Sequence, residues 1–389
     1  MSAALDLHLS DAQRDLYEQT RTLARDVLAP LAAGGEPSRV NHALVRALAE
    51  HGLLARLFDD TGQSALELCL IREALARDCT EAETAFALQG LGGHPILLAG
   101  TDALRSQWIG RVADGSAVAA FALTEPDAGS DPAALTLRAD PDGEGGFVLN
   151  GEKLWISNAP EADIYTVFAR TADSGEARGA RGLTAFAVPG DAPGLSGEHR
   201  ELLAPHAIGS LRFDGVPVGA DQVLGAPGDG FRVAMRTLDL FRPSVGAFAI
   251  GMARTALSLA TSYALERRTF GKPLRDHQAL AHRLADLRAR TEAARLLVHQ
   301  AARAHDRGIP DPSVAAMAKL LATEVAQEAV DAAVQFHGAV ALEHGHPLEH
   351  LYREVRAPRI YEGASEIQRE IIARAMFRAA EHGSEAKQP

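Results

Sequence analysis

The sequence predicts an α+β protein in three consecutive parts: an N-terminal helical domain (1–116), a middle β domain of barrel or sandwich type (117–228) and a C-terminal four-helix bundle (229–389). Three observations carry this. Apolar residues at helical spacing fill the first third. Around Ala117 they give way to short apolar runs punctuated by Pro and Gly, and from Phe231 onward the three-to-four-residue spacing returns. A chain of 389 residues is also longer than one ordinary core fills.

In the first part, Ser10 and Gln13 form a capping-box pattern ahead of Leu16, Leu23, Val27 and Leu28. Helical runs follow over 41–50, closed by Gly52, then over 65–76 and 82–88, and Thr101 is placed to cap 102–112. Residues 57–63 read as a short loop. Gly90-Leu91-Gly92-Gly93-His94-Pro95 reads as a break between helices, with room or flexibility supplied by its glycines. In the middle part, 118–123, 164–169, 183–188 and 211–218 have strand character. The clearest strand signal is 147–156, whose central Asn150-Gly151 asks for a type I′ hairpin turn. In the last part, Phe241, Val245, Phe248, Met252, Ala256 and Leu259 line one long apolar face. Pro243 is expected to kink that helix or mark its start. A second helix spans 277–306, stopped by Gly308 and Pro310, and a third spans 313–340. Ser365 with Gln368 repeats the capping box before the final helix.

Composition narrows the function. A net charge of -12 argues against nucleic acid or an anionic membrane as main partner, since both need a basic face. An anionic small ligand needs only a local basic pocket. Cys69 and Cys79 make neither a disulfide scaffold nor a zinc site, which points to a reducing compartment. No signal peptide and no apolar run of membrane-spanning length is apparent, so the expected location is cytoplasmic. His344-Gly345-His346 brings no third ligand, and no metal is expected. Neither a Rossmann nor a P-loop glycine pattern occurs, and there is no nucleophile elbow.

Four stretches have residue types suited to chemistry. In Thr124-Glu125-Pro126-Asp127-Ala128-Gly129-Ser130-Asp131, hydroxyls and close backbone N–H groups suit a ligand, although a polar turn reads the same way. Trp155-Ile156-Ser157 offers a flat aromatic wall and a hydroxyl, or a plain core tryptophan. Arg267-Arg268-Thr269-Phe270 suits a diphosphate, or simply answers a helix C-terminal dipole. Glu362 sits ahead of the last helix beside Gly363; taken alone, such a residue is usually a solvated charge.

Together and in this order, Phe121-Ala-Leu-Thr-Glu-Pro-Asp-Ala-Gly-Ser-Asp131, Asn150-Gly-Glu-Lys-Leu-Trp-Ile-Ser157, Tyr263-Ala-Leu-Glu-Arg-Arg-Thr-Phe-Gly-Lys272 and Ile360-Tyr-Glu-Gly-Ala-Ser-Glu-Ile-Gln-Arg369 resemble the acyl-CoA dehydrogenase family of flavoproteins from end to end. The resemblance implies FAD held by Leu123, Thr124, Gly129 and Ser130, with Trp155 and Ser157 flanking the isoalloxazine. It implies that Arg267, Thr269 and Phe270 reach a neighbouring subunit's FAD. Gln335 and Gly338 would hold the adenosine half, with Glu366 a further cofactor contact. Where the family often has more glycines, this chain continues Ala339-Val340-Ala341. Glu362 matches the catalytic base, which takes the α proton while the β hydride passes to flavin N5. Its backbone N–H would bind the thioester carbonyl. Ser130, Arg242, Tyr361 and Gly363 would contact or support the substrate, and 89–98 would help line the acyl pocket. A subset of the family carries its base near Phe241, but no acid stands there.

The same resemblance implies a homo-oligomer, usually a tetramer, and reoxidation by an electron-transferring flavoprotein. The reading it supports is α,β-dehydrogenation of an acyl-CoA to the trans-2-enoyl thioester. Alternatives are a dehydrogenase of carrier-protein-bound acyl groups, a flavin monooxygenase and a non-catalytic binder. Relatives of the monooxygenase type typically lack the base, and Glu362 argues against that alternative.

Overall fold

Local sequence signals form most of the helices as expected. The structure, a computed structural model, describes residues 6, 8–58, 64–171 and 179–385, so 59–63 of the expected short loop lie outside the described residues. Ser10 and Gln13 close a reciprocal capping box on α1 (Asp11–Leu23). After α2 (Ala29–Ala33), the Asn41 side chain caps α3 (His42–Glu50), and Ser64 caps α4 (Ala65–Asp78). Helix α5 covers Thr80–Ala99, and Thr101 accepts from the Leu104 N–H at 3.2 Å to start α6 (Asp102–Ala113).

Strands β1 (Ala119–Ala122), β2 (Arg138–Pro141), β3 (Phe147–Ser157), β4 (Ile164–Arg170), β5 (Leu183–Pro189), β6 (Leu195–His199), β7 (Ile208–Val218) and β8 (Val223–Leu224) form one eight-stranded sheet. Its order is β6-β7-β3-β2-β4-β5-β8, with β1 parallel to β4 off that path. Then come α7 (Gly230–Glu266), the small ribbon β9 (Arg268–Thr269) and β10 (Lys272–Pro273), α8 (Gln278–Asp306), α9 (Pro312–His337), α10 (Pro347–Glu354) and α11 (Ser365–Glu385). The order along the chain is helical, then β, then helical, as expected.

Two compact units organise these elements. One comprises Met1–Arg25, Ser64–Thr80 and Asp239–Pro389; the other comprises Asp26–Gln63 and Glu81–Leu238. In the first, α9 packs against α8, α10 and α11, while α4 packs against α1 and α8. Its interior holds a cluster of charges. Glu73 receives Arg295 Nε at 2.8 and 2.9 Å and the Tyr17 hydroxyl at 3.0 Å, and it also pairs with Arg254. Arg295 also reaches Asp6 at 2.6 Å, and His299 bonds His8 at 2.8 Å. In the second unit, alternating sheet residues such as Leu149, Tyr165, Val167, Phe186, Leu211 and Val216 make the core.

Three local expectations are corrected, and a fourth, that Pro243 kinks its helix or marks its start, loses its second alternative. Asn150-Gly151 is no hairpin turn: it lies inside β3, beside a bulge at Leu149/Asn150. Gly151 at φ 141° lets β3 pass Leu137, whose Cα would lie 3.0 Å from an added Cβ. Residues 90–95 do not break a helix, because α5 runs through them. Its glycines provide contact rather than room: a Cβ on Gly92 would meet the Ala120 N at 2.5 Å, and one on Gly93 would meet the Phe58 ring at 2.7 Å. Pro243 lies well inside α7, which starts at Gly230. Helix α7 is long and apolar enough to cross a membrane by length and composition, yet 78% of its apolar window is buried in the protein. Finally, Ser365 is the first residue of α11, not its cap. A charged acceptor on α9 wins its hydroxyl, which donates to Glu324 at 2.7 Å, and Gln368 instead donates to the Gly363 carbonyl at 2.9 Å.

Candidate active site

Glu362 occupies a turn that α9 and α11 hold from both sides. It has φ 50° and Gly363 has φ 92°. For a non-glycine residue this conformation costs on the order of 1–3 kcal/mol, and such strain gathers at functional positions. Gly363 sits at a left-handed φ that strains any L side chain, and a Cβ there would press on Gln368 Nε2 at 2.5 Å. The Glu362 Oε2 is shielded from solvent and has no hydrogen-bond partner, and its backbone N–H finds no acceptor among the described residues. Burial pushes this carboxyl above the usual range, against the opposing fields of Arg72, Lys319 and Arg242. A raised pKa on an unsatisfied carboxylate is how a carboxylate is made into a general base.

The neighbours of this turn are built in. Lys319, wholly buried on α9, donates to the Tyr361 carbonyl at 2.9 Å and to the Gly363 carbonyl at 2.6 Å. Burial pulls its ammonium down to about 8. Arg72 on α4 donates to Ser244 Oγ at 2.6 Å and lies over the Phe248 ring. Arg242 pairs with Asp239 at 2.9 Å. Glu324 ties the start of α11 to α9 through Ser365, and it also pairs with Arg359, ahead of the turn, at 2.9 Å. Sequence reading missed Arg72 and Lys319. Their signal was a lone cation among Ala315, Ala316, Ala318 and Ala322, and another inside the apolar run of α4.

The same unit carries the remaining C-terminal candidates. Phe270 and Gly271 are the two central residues of the β9–β10 turn, at φ 48° and 79°, the signs a type I′ turn needs. Phe270 is 97% exposed there, and Arg267 is exposed beside it. Thr269 Oγ1 bonds His277 at 3.1 Å. Gln335 and Gly338 are exposed at the end of α9, and Glu366 is exposed on the first turn of α11. Tyr263 stacks on His337, with ring centroids 4.2 Å apart. Of the alanines beyond Gly338, Ala341 is fully buried and Ala339 is exposed.

The second unit brings together the other candidates. The Leu154 N–H donates to the Thr124 carbonyl at 3.0 Å, setting the first motif beside the strand that carries Trp155. Underneath, buried Lys153 donates to the Leu123 carbonyl and to Glu125, each at 2.8 Å. Glu125 also accepts from the Thr136 N–H at 2.6 Å and the Leu137 N–H at 2.9 Å. Burial draws Lys153 down to about 8 despite the Glu125 field. Burial works against the Glu125 carboxylate, but Lys153 and the backbone N–H groups hold it below its ordinary range. This buried pair was legible only as two motif letters, with no role attached. Above it the turn is open: Gly129 and Ser130 are exposed, and the hydroxyls of Thr124, Ser130 and Ser157 have no partner among the described residues. Trp155 is 51% exposed at φ 60°, where a register shift between Lys153 and Ile156 turns it out of the sheet. A strained, outward aromatic next to free hydroxyls fits a flat heteroaromatic ligand better than core packing.

The helical–β–helical order of the chain is that of a class of oxidoreductases, the flavoprotein dehydrogenases. The chain belongs to the acyl-CoA dehydrogenase family: models of that family's N-terminal, middle and C-terminal domains match residues 10–116, 120–216 and 228–377. It is 33% identical over 381 residues to cyclohexane-1-carbonyl-CoA dehydrogenase of Geobacter metallireducens, covering 95% of this chain and 99% of that one. The structure of butyryl-CoA dehydrogenase from Megasphaera elsdenii superposes with a TM-score of 0.88 at 32% identity, covering 95% and 99% of the two chains. A Mycobacterium smegmatis glutaryl-CoA dehydrogenase in complex with FADH2 gives a TM-score of 0.88 at 26% identity over 95% and 96%.

Proposed function

We propose that this protein is an FAD-dependent acyl-CoA dehydrogenase in which Glu362 removes the α proton of the thioester. The observation that carries the reading is the Glu362 carboxylate: one oxygen shielded from solvent and, like the turn's own N–H, without a hydrogen-bond partner among the described residues. The α C–H of a thioester is a weak acid, so its base must be both desolvated and aimed. The negative charge that develops on the thioester oxygen needs a fixed donor, and the Glu362 N–H is free to be one.

The residues fit FAD. Thr124, Gly129 and Ser130, with Leu123 beside them, offer an exposed turn of donors, and Trp155 with Ser157 offers an aromatic wall and a hydroxyl. Arg267 supplies an exposed guanidinium for a pyrophosphate, and Gln335, Gly338 and Glu366 offer further polar contacts. When bound, FAD supplies the acceptor for the β hydrogen and its electron pair. Glu362 takes the proton, and the fields of Arg72, Lys319 and Arg242 oppose the upward push of burial on its carboxyl. Phe270, set out on its turn beside Arg267 and Thr269, is the surface through which a second copy would complete the cofactor site, and a tetramer is the assembly we propose. A domain division at 1–116, 117–228 and 229–389 and an electron-transferring flavoprotein as acceptor belong to the same proposal.

Glu362→Gln tests it. The flavin-loaded variant should bind acyl-CoA yet bleach its flavin about a hundred- to ten-thousandfold more slowly under anaerobic mixing, the range a general base supplies. Bleaching at the wild-type rate would remove Glu362 from the role. Titrating short, long, branched and cyclic acyl-CoAs into the same enzyme ranks the substrates.

A further inference from the structure

We propose that Lys319 is a positioning residue for this reaction: by holding the carbonyls of Tyr361 and Gly363, it fixes the direction of the Glu362 N–H and strengthens it as a donor to the thioester oxygen. The inference rests on Glu362 being the base. Three observations support it. First, the peptide joining Tyr361 to Glu362 is trans, so its carbonyl and its N–H point to opposite sides. An ammonium 2.9 Å from the carbonyl therefore leaves the N–H facing away from α9. Second, the same ammonium grips the Gly363 carbonyl at 2.6 Å, so the two left-handed residues, Glu362 and Gly363, are pinned at both ends. The Gly363 carbonyl also accepts from Gln368 at 2.9 Å, which leaves its oxygen fully engaged. Third, a cation on the carbonyl side polarises the peptide and makes its N–H a better donor, an effect that grows when the surroundings are dry. Lys319 is fully buried, and its ammonium is spent on two backbone oxygens of one turn, a costly arrangement that packing alone does not require.

The groups that face this ammonium are Glu362 on the turn, Glu324 on its own helix, Glu366 on α11 and Arg242 on α7. Burial outweighs the acidic neighbours and sets its titration near pH 8, so above about 8 the clamp loses its charge.

The test uses full-length, flavin-loaded enzyme and the acyl-CoA that bleaches it fastest. The probe of the N–H is the corresponding trans-2-enoyl-CoA, isotope-labelled at the thioester carbonyl, whose stretching frequency falls in proportion to the hydrogen bond it receives. K319M should reduce the displacement seen in wild type and slow flavin reduction about ten- to a hundredfold at saturating thioester, with the dissociation constant changed less than about threefold. K319R keeps the charge at all relevant pH. It should restore most of the rate and carry it past pH 8, where wild type declines. E362Q, which retains the N–H, should keep the displacement while losing reduction. If E362Q bleaches normally, the base assignment fails. If K319M shows the wild-type displacement and rate, or K319R declines at the same alkaline pH as wild type, the Lys319 inference fails with the base assignment intact. Should K319M not retain flavin, the alkaline limb of K319R against wild type decides alone.

Discussion

Glu362, half-buried with one oxygen shielded, and Glu73, wholly buried, lie on the same unit, and their surroundings drive their carboxyls in opposite directions. Around Glu362, burial prevails over cations that do not touch it, and its pKa rises. Around Glu73, burial also pushes upward, but Arg295, Arg254 and His299 touch it and hold it well below the ordinary carboxylate range. Glu362 is therefore the easier of the two to protonate, and Glu73 the one that holds its charge. The rate of flavin reduction should fall as pH drops through the raised Glu362 value, a limb that pH-resolved anaerobic mixing would trace and that E362Q should lack. Glu73→Gln should cost about 3–5 kcal/mol in denaturant unfolding, because Arg254 and Arg295 lose their counter-charge inside the protein. His8 adds a separate sign. Burial, with His299, Arg303 and Arg295 nearby, takes it from its ordinary value down to about 4. Its folded value lies below its unfolded one, so the unfolded chain takes up a proton first and stability falls from about pH 6.5 toward 4. The melting temperature followed over that range should fall less steeply in His8→Ala.

At the scale of elements, glycine is the residue that sets how closely things approach. Gly92 lets α5 lie on the β1 backbone, and Gly251 lets α7 meet α4, where a Cβ would come within 2.6 Å of Ala76 Cβ and of the Glu73 carbonyl. Gly251→Ala should destabilise by about 1–3 kcal/mol, measured by denaturant titration, because backbone rather than a flexible tip stands in the way. These positions also explain what could be read in advance. Periodicity and caps gave the helices well, since Ser10, Asn41 and Thr101 act within a few residues. Asn150-Gly151 and the glycines of α5 misled because a turn residue and a close-contact residue look alike until the second backbone is known. Ser365 misled because its hydroxyl answers Glu324, 41 positions earlier in the chain. Within the candidate site, residues in motifs were legible, while the groups that hold them, Lys153, Arg72 and Lys319, act from distant segments and are visible only as cations in apolar runs.

For the whole molecule, the exposed Phe270 bears on the assembly proposed above. The β9–β10 turn accounts for the left-handed φ of Phe270, but not for an apolar ring left 97% exposed. Phe270→Ser should leave the melting of the subunit's secondary structure nearly unchanged, lower the assembly state seen by sedimentation, and reduce retained flavin. An unchanged sedimentation profile would remove Phe270 from the interface.

The charge cluster around Glu73 also has a consequence in time. Tyr17 and Glu73 leave the ribosome early, while Arg295, which completes their bonding, follows Glu73 by 222 residues. At about 5–20 residues per second that is a wait of roughly ten to forty seconds, during which α4 carries an unpaired interior acid and an uncovered apolar face. The chain segments of the other unit are complete by Leu238, so they can assemble within that interval. The sheet is therefore the part a nascent chain can finish first, and the unit that carries Glu362 closes only when its last third has emerged to join its first.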